Sequence, residues 1–246
     1  MRILALLVLV SAQVAVAQTA DAGYLGGRQL LDLALIPPPP AAGSAAEIKD
    51  RETYKLSISE VGGKRWKAAI SQLYLSKPAT MSAQIACAVG APVDPGNAPI
   101  LFAMLGRLVA DAVPDVDATK DKYKRARPFV GVADFKACDP RVKASDVKSY
   151  SYPSGHAAIG MLWGDALAAA APARKAQAEA WGASIGDNRL ACRVHWASDV
   201  AAGQEMGDLL FEKIAATPGF KADLVRIRSE IAVARGAQAI PLKACN

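Results

Sequence analysis

Pro153-Ser154-Gly155-His156-Ala157-Ala158-Ile159-Gly160-Met161-Leu162-Trp163-Gly164-Asp165-Ala166-Leu167-Ala168-Ala169-Ala170-Ala171 passes from a polar turn into an alanine-rich apolar run. Alanine is the best helix former and serine or glycine suits a cap, so a helix is expected to begin after Ser154 or Gly155 and reach about Ala171. Asp165 interrupts this run and Arg107 interrupts the other rich apolar stretch. Neither therefore reaches the roughly 18 uncharged apolar residues that suggest a membrane span. The alanines at 166 to 171 read as a closely packing helix, not a functional repeat.

Working outward, residues 173 to 187 read as a further helix ended near Asp187, and Val200, Met206, Leu210 and Ile214 recur at helical spacing from Val194 to Ala216. A last helix is expected between Lys221 and Arg235. Toward the N-terminus, Ser44 and Glu47 form a Ser-x-x-Glu capping box for a segment running to about Tyr54. The next helix spans about Lys64 to Leu75 and is stopped by Pro78, and Thr80 begins a short one toward Ala88. Asn97 looks like the cap of a helix to about Val113, with Pro99 in the first turn where a missing N–H breaks no intrahelical bond. Asp117 begins another, carrying Lys120 toward Arg127.

No segment alternates as a strand does, no period of about 20 to 50 residues recurs, and no composition break divides the chain after residue 44. The expected fold class is all-α, a single-domain helical bundle over residues 44–246. Residues 18–43, with Gly23, Gly26, Gly27 and Pro37 to Pro40, cannot continue a helix and read as an extended arm ahead of it.

Residues 1–17 carry Arg2, an apolar core from Ile3 to Val10, and Ala15-Val16-Ala17. That is the layout of a secretory signal peptide cut after Ala17, with an apolar core far short of the roughly 20 residues that cross a bilayer. The protein is expected in the periplasm or secreted, with no membrane attachment after cleavage. Its 246 residues are 52% hydrophobic, enough for a proper core. Lys and Arg exceed Asp and Glu to give a formal charge of +6, and the chain stays basic without the signal. It lacks the clustered aromatics of a base-stacking surface, so nucleic acid is not an expected partner; a positive rim that draws in anionic esters explains the charge.

Cys87, Cys138, Cys192 and Cys245 are an even number in a chain bound for an oxidising compartment. One or two disulfides follow, and the sequence does not choose among the pairings. No Cys-x-x-Cys occurs and two isolated histidines make a poor zinc site, so no metal and no other cofactor is expected.

Those two histidines, His156 and His195, each lie in a polar motif. Pro153-Ser154-Gly155-His156 is one; Asn188-Arg189, five residues, His195, three residues and Asp199 is the other; upstream, Lys120 precedes Arg127-Pro128 by six intervening residues. Hydrolysis of a phosphate monoester needs dense positive charge, a nucleophile and a proton donor for the leaving alcohol. Arg127 and Arg189 would clamp phosphate through their planar forks, with Lys120 as a point charge. Ser154 and Gly155, where a loop turns into a helix, would present backbone N–H groups and the positive dipole end to the anion.

His195 and Asp199 are four apart, on one face if the segment is helical. A carboxylate that fixes the tautomer leaves the other ring nitrogen free for attack, which makes His195 the expected nucleophile and Asp199 its orienter. His156 remains as the acid that protonates the departing oxygen, and an optimum on the acid side follows from its need to hold a proton. Lys122, Lys124 and Arg125 read as an ordinary solvated basic face. Trp66, Trp163, Trp181 and Trp196 read as core or pocket wall.

Lys-x6-Arg-Pro, Pro-Ser-Gly-His and Arg-x5-His-x3-Asp together resemble the signature of the type 2 phosphatidic acid phosphatase superfamily, which also holds the vanadium haloperoxidases. Within it the chain is most similar to the bacterial class A non-specific acid phosphatases, through its signal peptide, the proline-rich arm before Gly43-Ser44-Ala45-Ala46, Arg127-Pro128-Phe129 and His195-Trp196-Ala197-Ser198-Asp199. The resemblance covers most of residues 20–210. It implies a secreted or periplasmic, helical, metal-independent phosphomonoesterase that passes through a phosphohistidine. His195 matches the nucleophile, His156 the general acid, Asp199 its carboxylate partner, and Lys120, Arg127, Ser154, Gly155 and Arg189 the phosphate-holding positions. It also implies a homo-oligomer, which nothing in the sequence itself displays. One departure is Asn188, where the family usually has serine; an amide can still donate, though from a different place.

The expected partners are small phosphomonoester substrates such as nucleotides, sugar phosphates and aryl phosphates, with inorganic phosphate as product and possible transfer to other alcohols. Two other readings use the same cradle: a vanadate-dependent haloperoxidase, and a non-catalytic phosphate-binding periplasmic protein. A membrane lipid phosphatase would need several spanning helices that the sequence lacks after the signal.

Overall fold

A computed structural model describes residues 22–245. The expected signal peptide, residues 1–17, lies outside the described residues. The fold is all-α: α1 (Ala45–Leu56), α2 (Lys64–Ser71), α3 (Ser82–Val89), α4 (Pro99–Tyr123), α5 (Gly155–Ala170), α6 (Lys175–Ala191), α7 (Ala197–Ala216) and α8 (Pro218–Ala237), with short 3-10 turns between them and no strand among the described residues. None of these helices is long and apolar enough to cross a membrane.

The alanine-rich helix is α5, and α3, α4, α6, α7 and α8 all pack on it. Its residues Ala157, Leu162, Trp163, Ala166 and Leu167 are fully buried, and the Trp163 indole N–H donates to the Leu105 carbonyl at 2.9 Å. The close fit on two sides is made by glycine. A Cβ at Gly182 of α6 would strike the Gly160 carbonyl and come 2.7 Å from Gly164 Cα, and one at Gly207 of α7 would come 2.6 Å from the Ala158 carbonyl. Only hydrogen fits there, so the backbones of α6 and α7 lie directly against α5. The pairing of Gly186 with Ala157 and of Gly203 with Ser154 brings the end of α6 and the start of α7 to the start of α5. That convergence creates the site.

Several boundaries differ from the sequence expectation. The two helices expected on either side of Pro114 are one, α4. Proline removes an internal N–H and costs about 3 kcal/mol in a helix, yet Leu105, Leu108, Ala112, Val116 and Thr119 bury one continuous face across it. Burial of that stripe overrides the local penalty.

Asn97 does not cap α4. Its amide closes the preceding turn, accepting from Asp94 N at 2.9 Å and donating to the Pro92 carbonyl at 2.8 Å. The carboxylate of Glu230 on α8 takes the N–H groups of Ile100 and Leu101 instead, both at 3.0 Å. Helix α2 stops at Ser71, α6 runs past Asp187 to Ala191, and α7 begins at Ala197 rather than Val194. At α1 the cap is as expected on one side, with Ser44 Oγ accepting from Glu47 N at 3.2 Å.

The proline- and glycine-rich stretch from residue 22 to 43 has no helix and is built into the body. Leu31 and Ile36 are buried in the main core. Asp111 accepts the N–H groups of Tyr24 and Leu25 at 2.6 and 3.0 Å, and Asp115 those of Leu30 and Leu31 at 3.1 and 2.8 Å. Burial raises the pKa of both carboxyls, and these amide bonds oppose the shift.

All four cysteines pair, Cys87 with Cys245 and Cys138 with Cys192. The second bridge sits in a small separate core with Ala69, Leu73, Phe129 and Val194, which underlies the loops of the site.

Candidate active site

The sequence-predicted residues come from five chain segments. Lys120 is in the last turn of α4, Arg127 in the loop beyond it, Ser154, Gly155 and His156 at the start of α5, Arg189 in the last turn of α6, and His195 and Asp199 at the entry to α7. A Cβ on Gly155 would lie 4.0 Å from Lys120 Nζ, so the amine stands over the N-terminus of α5. Ser154 caps that helix, its Oγ accepting from Ala157 N at 3.3 Å and its own N–H donating to the Asp199 carbonyl at 2.9 Å. The hydroxyl proton remains to be donated, and Gly155 and His156, in the first turn, have no helical carbonyl for their N–H groups.

His195 precedes α7 by two residues, so it does not share a helical face with Asp199 as expected. The contact forms differently. Asp199, in the first turn, folds back so that Oδ2 accepts the Trp196 N–H at 2.8 Å and lies 3.3 Å from His195 Nδ1. On the other ring edge, Nε2 is 3.0 Å from Arg127 Nη1. A guanidinium can only donate, so Nε2 is the acceptor and the ring proton belongs on Nδ1, toward Asp199. Arg127 is fixed by three further bonds, from Nε to the carbonyl and hydroxyl of Ser149, both at 3.0 Å, and from Nη1 to the Val194 carbonyl at 2.8 Å.

Arg189 is buried on the opposite wall and donates to the Ala69 carbonyl at 2.6 Å, while its buried Nε has no partner among the described residues. The Nε2 atom of His156 is buried without a partner as well. Unmet buried donors of this kind are costly unless something supplies oxygen. Electrostatics point the same way. Burial first, and then repulsion from neighbouring cations, lowers the pKa of Lys120, brings Arg189 to about 10, and holds both imidazoles well below the usual histidine range. Burial also lowers the pKa of Arg127, against the pull of Asp199, Asp139 and Asp146. For His156 the pressing charges are Arg189, His195 and Arg127, opposed by a hydrogen bond to the Leu73 backbone. For His195 they are Arg127, Lys120 and Arg189. A pocket that assembles cations against each other in a poorly hydrated space is built for an anion.

Arg125, read as part of a solvated face, is instead a structural member of the site. Its Nη1 donates to Asp199 Oδ1 at 2.7 Å and Nη2 to Asp50 Oδ2 at 2.8 Å, while its guanidinium lies 5.4 Å from the Trp196 ring centre. Asp50 in turn accepts the Ser198 N–H at 2.9 Å and the Ser198 hydroxyl. Sequence reasoning missed both Arg125 and Asp50, because nothing near either in the chain marks a partner about 75 residues away. The available signal was Asp199 itself, a carboxylate that must be buried and so needs a cation.

Arg193 was also unremarked. It sits at φ 66 just past α6 and donates to the carbonyls of Lys136 and Tyr54 and to Ser57 Oγ, binding α1 to the loop that carries Cys138. Asn188 donates to Gln72 Oε1 at 3.0 Å. Among the described residues no three His, Cys, Asp or Glu side chains gather as a metal cage requires.

A model described as the PAP2 superfamily matches residues 98–211, which span Lys120 through Asp199. The chain is 32% identical to the non-specific acid phosphatase of Salmonella typhimurium over 197 residues, 80% of this chain and 78% of that one. It is 31% identical to the non-specific acid phosphatase of Providencia stuartii, covering 86% of each chain. With the acid phosphatase of Zymomonas mobilis it shares 30% identity, over 82% of this chain and 76% of the other. By this extent of similarity, carried through the segments that converge on His156 and His195, the chain belongs to the PAP2 superfamily, among the non-specific acid phosphatases.

Proposed function

We propose that the protein is an acid phosphatase that hydrolyses small phosphate monoesters through a phosphohistidine on His195. The observation that carries this reading is the lone pair of His195 Nε2, held by the donor-only Arg127 at 3.0 Å inside a pocket of mutually repelling cations.

In the proposed first step Nε2 attacks phosphorus as the bond to the leaving oxygen breaks, and His156 gives that oxygen its proton. Asp199 stabilises the positive charge that His195 acquires. Lys120, Arg127, Arg189 and the first-turn amides of α5 take the equatorial oxygens, which spreads the transition-state charge over fixed donors. Water then attacks phosphorus, His156 takes its proton, the P–N bond breaks, and inorganic phosphate leaves. An alcohol in place of water would yield a new ester. The low proton affinity of His156 in the free pocket supports an acid-side optimum, since a bound dianion must raise it before it can serve as acid.

The reading accommodates nucleotides, sugar phosphates and aryl phosphates, because the cradle grips only the phosphoryl group. The two disulfides support export to an oxidising compartment.

His195→Ala should release no phosphate from an aryl phosphate at any pH, and His156→Asn should lose most turnover with alkyl esters. Labelled phosphate should remain on the wild-type protein after a rapid alkaline quench and be missing from His195→Ala. A label that persists in that variant would assign the nucleophile elsewhere.

A further inference from the structure

Beside the phosphate cradle lies a cleft of about 360 Å³ between the end of α4 and the loop before α5, walled by Asp117, Lys120, Asp121, Lys148, Ser149 and Tyr150. It is continuous with the cradle through two shared groups. Lys120 belongs to both, and Ser149 is the residue whose carbonyl and hydroxyl hold Arg127 Nε at 3.0 Å. An ester whose phosphate is clamped by Lys120 and Arg127 has this cleft within reach of its alcohol portion.

We infer that the cleft is a leaving-group subsite for uncharged, polyhydroxylated alcohols, so that sugar and polyol monophosphates are the favoured substrates. The inference rests on the phosphomonoesterase reading above and adds the substrate class. Asp117 and Asp121 are one turn apart on α4, on the same face as Lys120, and both are exposed. A carboxylate accepts two hydroxyl protons side by side, and hydrogen bonds to a charged partner are the strong ones. Lys148 and the Ser149 hydroxyl add donors, and the half-buried Tyr150 offers a ring face to the C–H side of a sugar.

The same carboxylates discriminate against other leaving groups. A second phosphate or a carboxylate on the substrate would meet Asp117 and Asp121 as like charges, and a bare aryl group would leave their oxygens with no donor.

The test compares kcat/KM for a hexose 6-phosphate and for phenyl phosphate in the wild type and in the double variant Asp117→Ser, Asp121→Ser. The expected result is a fall of about tenfold in the hexose-to-phenyl ratio, the size expected from losing one or two charge-assisted hydrogen bonds, with phenyl phosphate turnover within about threefold of wild type. An unchanged ratio would overturn the inference. So would an equal loss on both substrates, which would mean that Asp117 acts only through its charge on Lys120. Phenyl phosphate turnover by the wild type reports the parent reading separately; without it, both readings fall.

Discussion

Arg125 and Asp199 meet at 2.7 Å through Oδ1, the carboxylate oxygen that His195 does not use. The same guanidinium holds Asp50 at 2.8 Å, so one cation serves two carboxylates that are almost entirely shielded from water. Arg125→Ala would leave both uncompensated. Breaking a buried pair from one side costs about 3 kcal/mol or more, and urea denaturation should record a loss of that size. Phosphate release should fall with it, because Asp199 loses the anchor opposite His195. Arg125→Lys should recover part of the stability. A fully stable, fully active Arg125→Ala protein would remove Arg125 from the site.

Both imidazoles titrate well below the ordinary range in the free protein, His156 chiefly through burial and then Arg189. A bound phosphate dianion reverses the sign of the local charge and should draw a proton onto His156 near neutrality. The sequence holds only two histidines, so nitrogen-labelled histidine gives a two-ring spectrum. Adding inorganic phosphate at about pH 6, near the unperturbed histidine value, should move His156 toward the protonated form. In His156→Asn, calorimetry should show smaller proton uptake on phosphate binding. Binding with no proton uptake in the wild type would contradict the acid role.

Gly182→Ala tests the contact between α5 and α6. The new methyl group would meet the Gly160 carbonyl and Gly164 Cα, both backbone, so the helices must part. Overpacking of this kind costs about 1–3 kcal/mol. Because His156 and Arg189 ride on those two helices, KM for an aryl phosphate should rise along with the loss of thermal stability. A stable variant with unaltered KM would show that the seam does not set the spacing of the site.

Asp165 on α5 is pushed up to about 7, by burial first and then by Asp208 of α7, with Glu179 adding repulsion and Lys175 opposing it. A folded-state value above the unfolded carboxyl value of about 3.9 means that the folded protein holds the extra proton. Its stabilising contribution is present below about pH 4 and is lost as pH rises through about 7. Relative to Asp165→Asn, the wild type should therefore lose melting temperature between those limits. Parallel pH curves for the two proteins would exclude the shared proton.

The helical fold and the three polar motifs were legible in the sequence because they depend on local pattern. Alanine content, cap residues and the spacing around His156 and His195 all act within a few residues. What could not be read depended on distant partners. Pro114 argued for a break that a buried face overrode, and Asn97 looked like a cap although Glu230, on another helix, does that work. Arg125 resembled its exposed lysine neighbours until Asp50 and Asp199 were placed around it. The pairing of His195 with Asp199 was anticipated from a helix that begins only after His195; the contact survives because a first-turn carboxylate reaches back to the residues before its helix.

The amides of Tyr24, Leu25, Leu30 and Leu31 are bound by two aspartates of α4, the helix that also delivers Lys120. Anyone trimming the chain to begin at its first helix would strip those carboxylates of their donors and open the back of the helix that carries the lysine. Such a shortened protein should be frail and catalytically weak, although no residue of the proposed chemistry has been cut away.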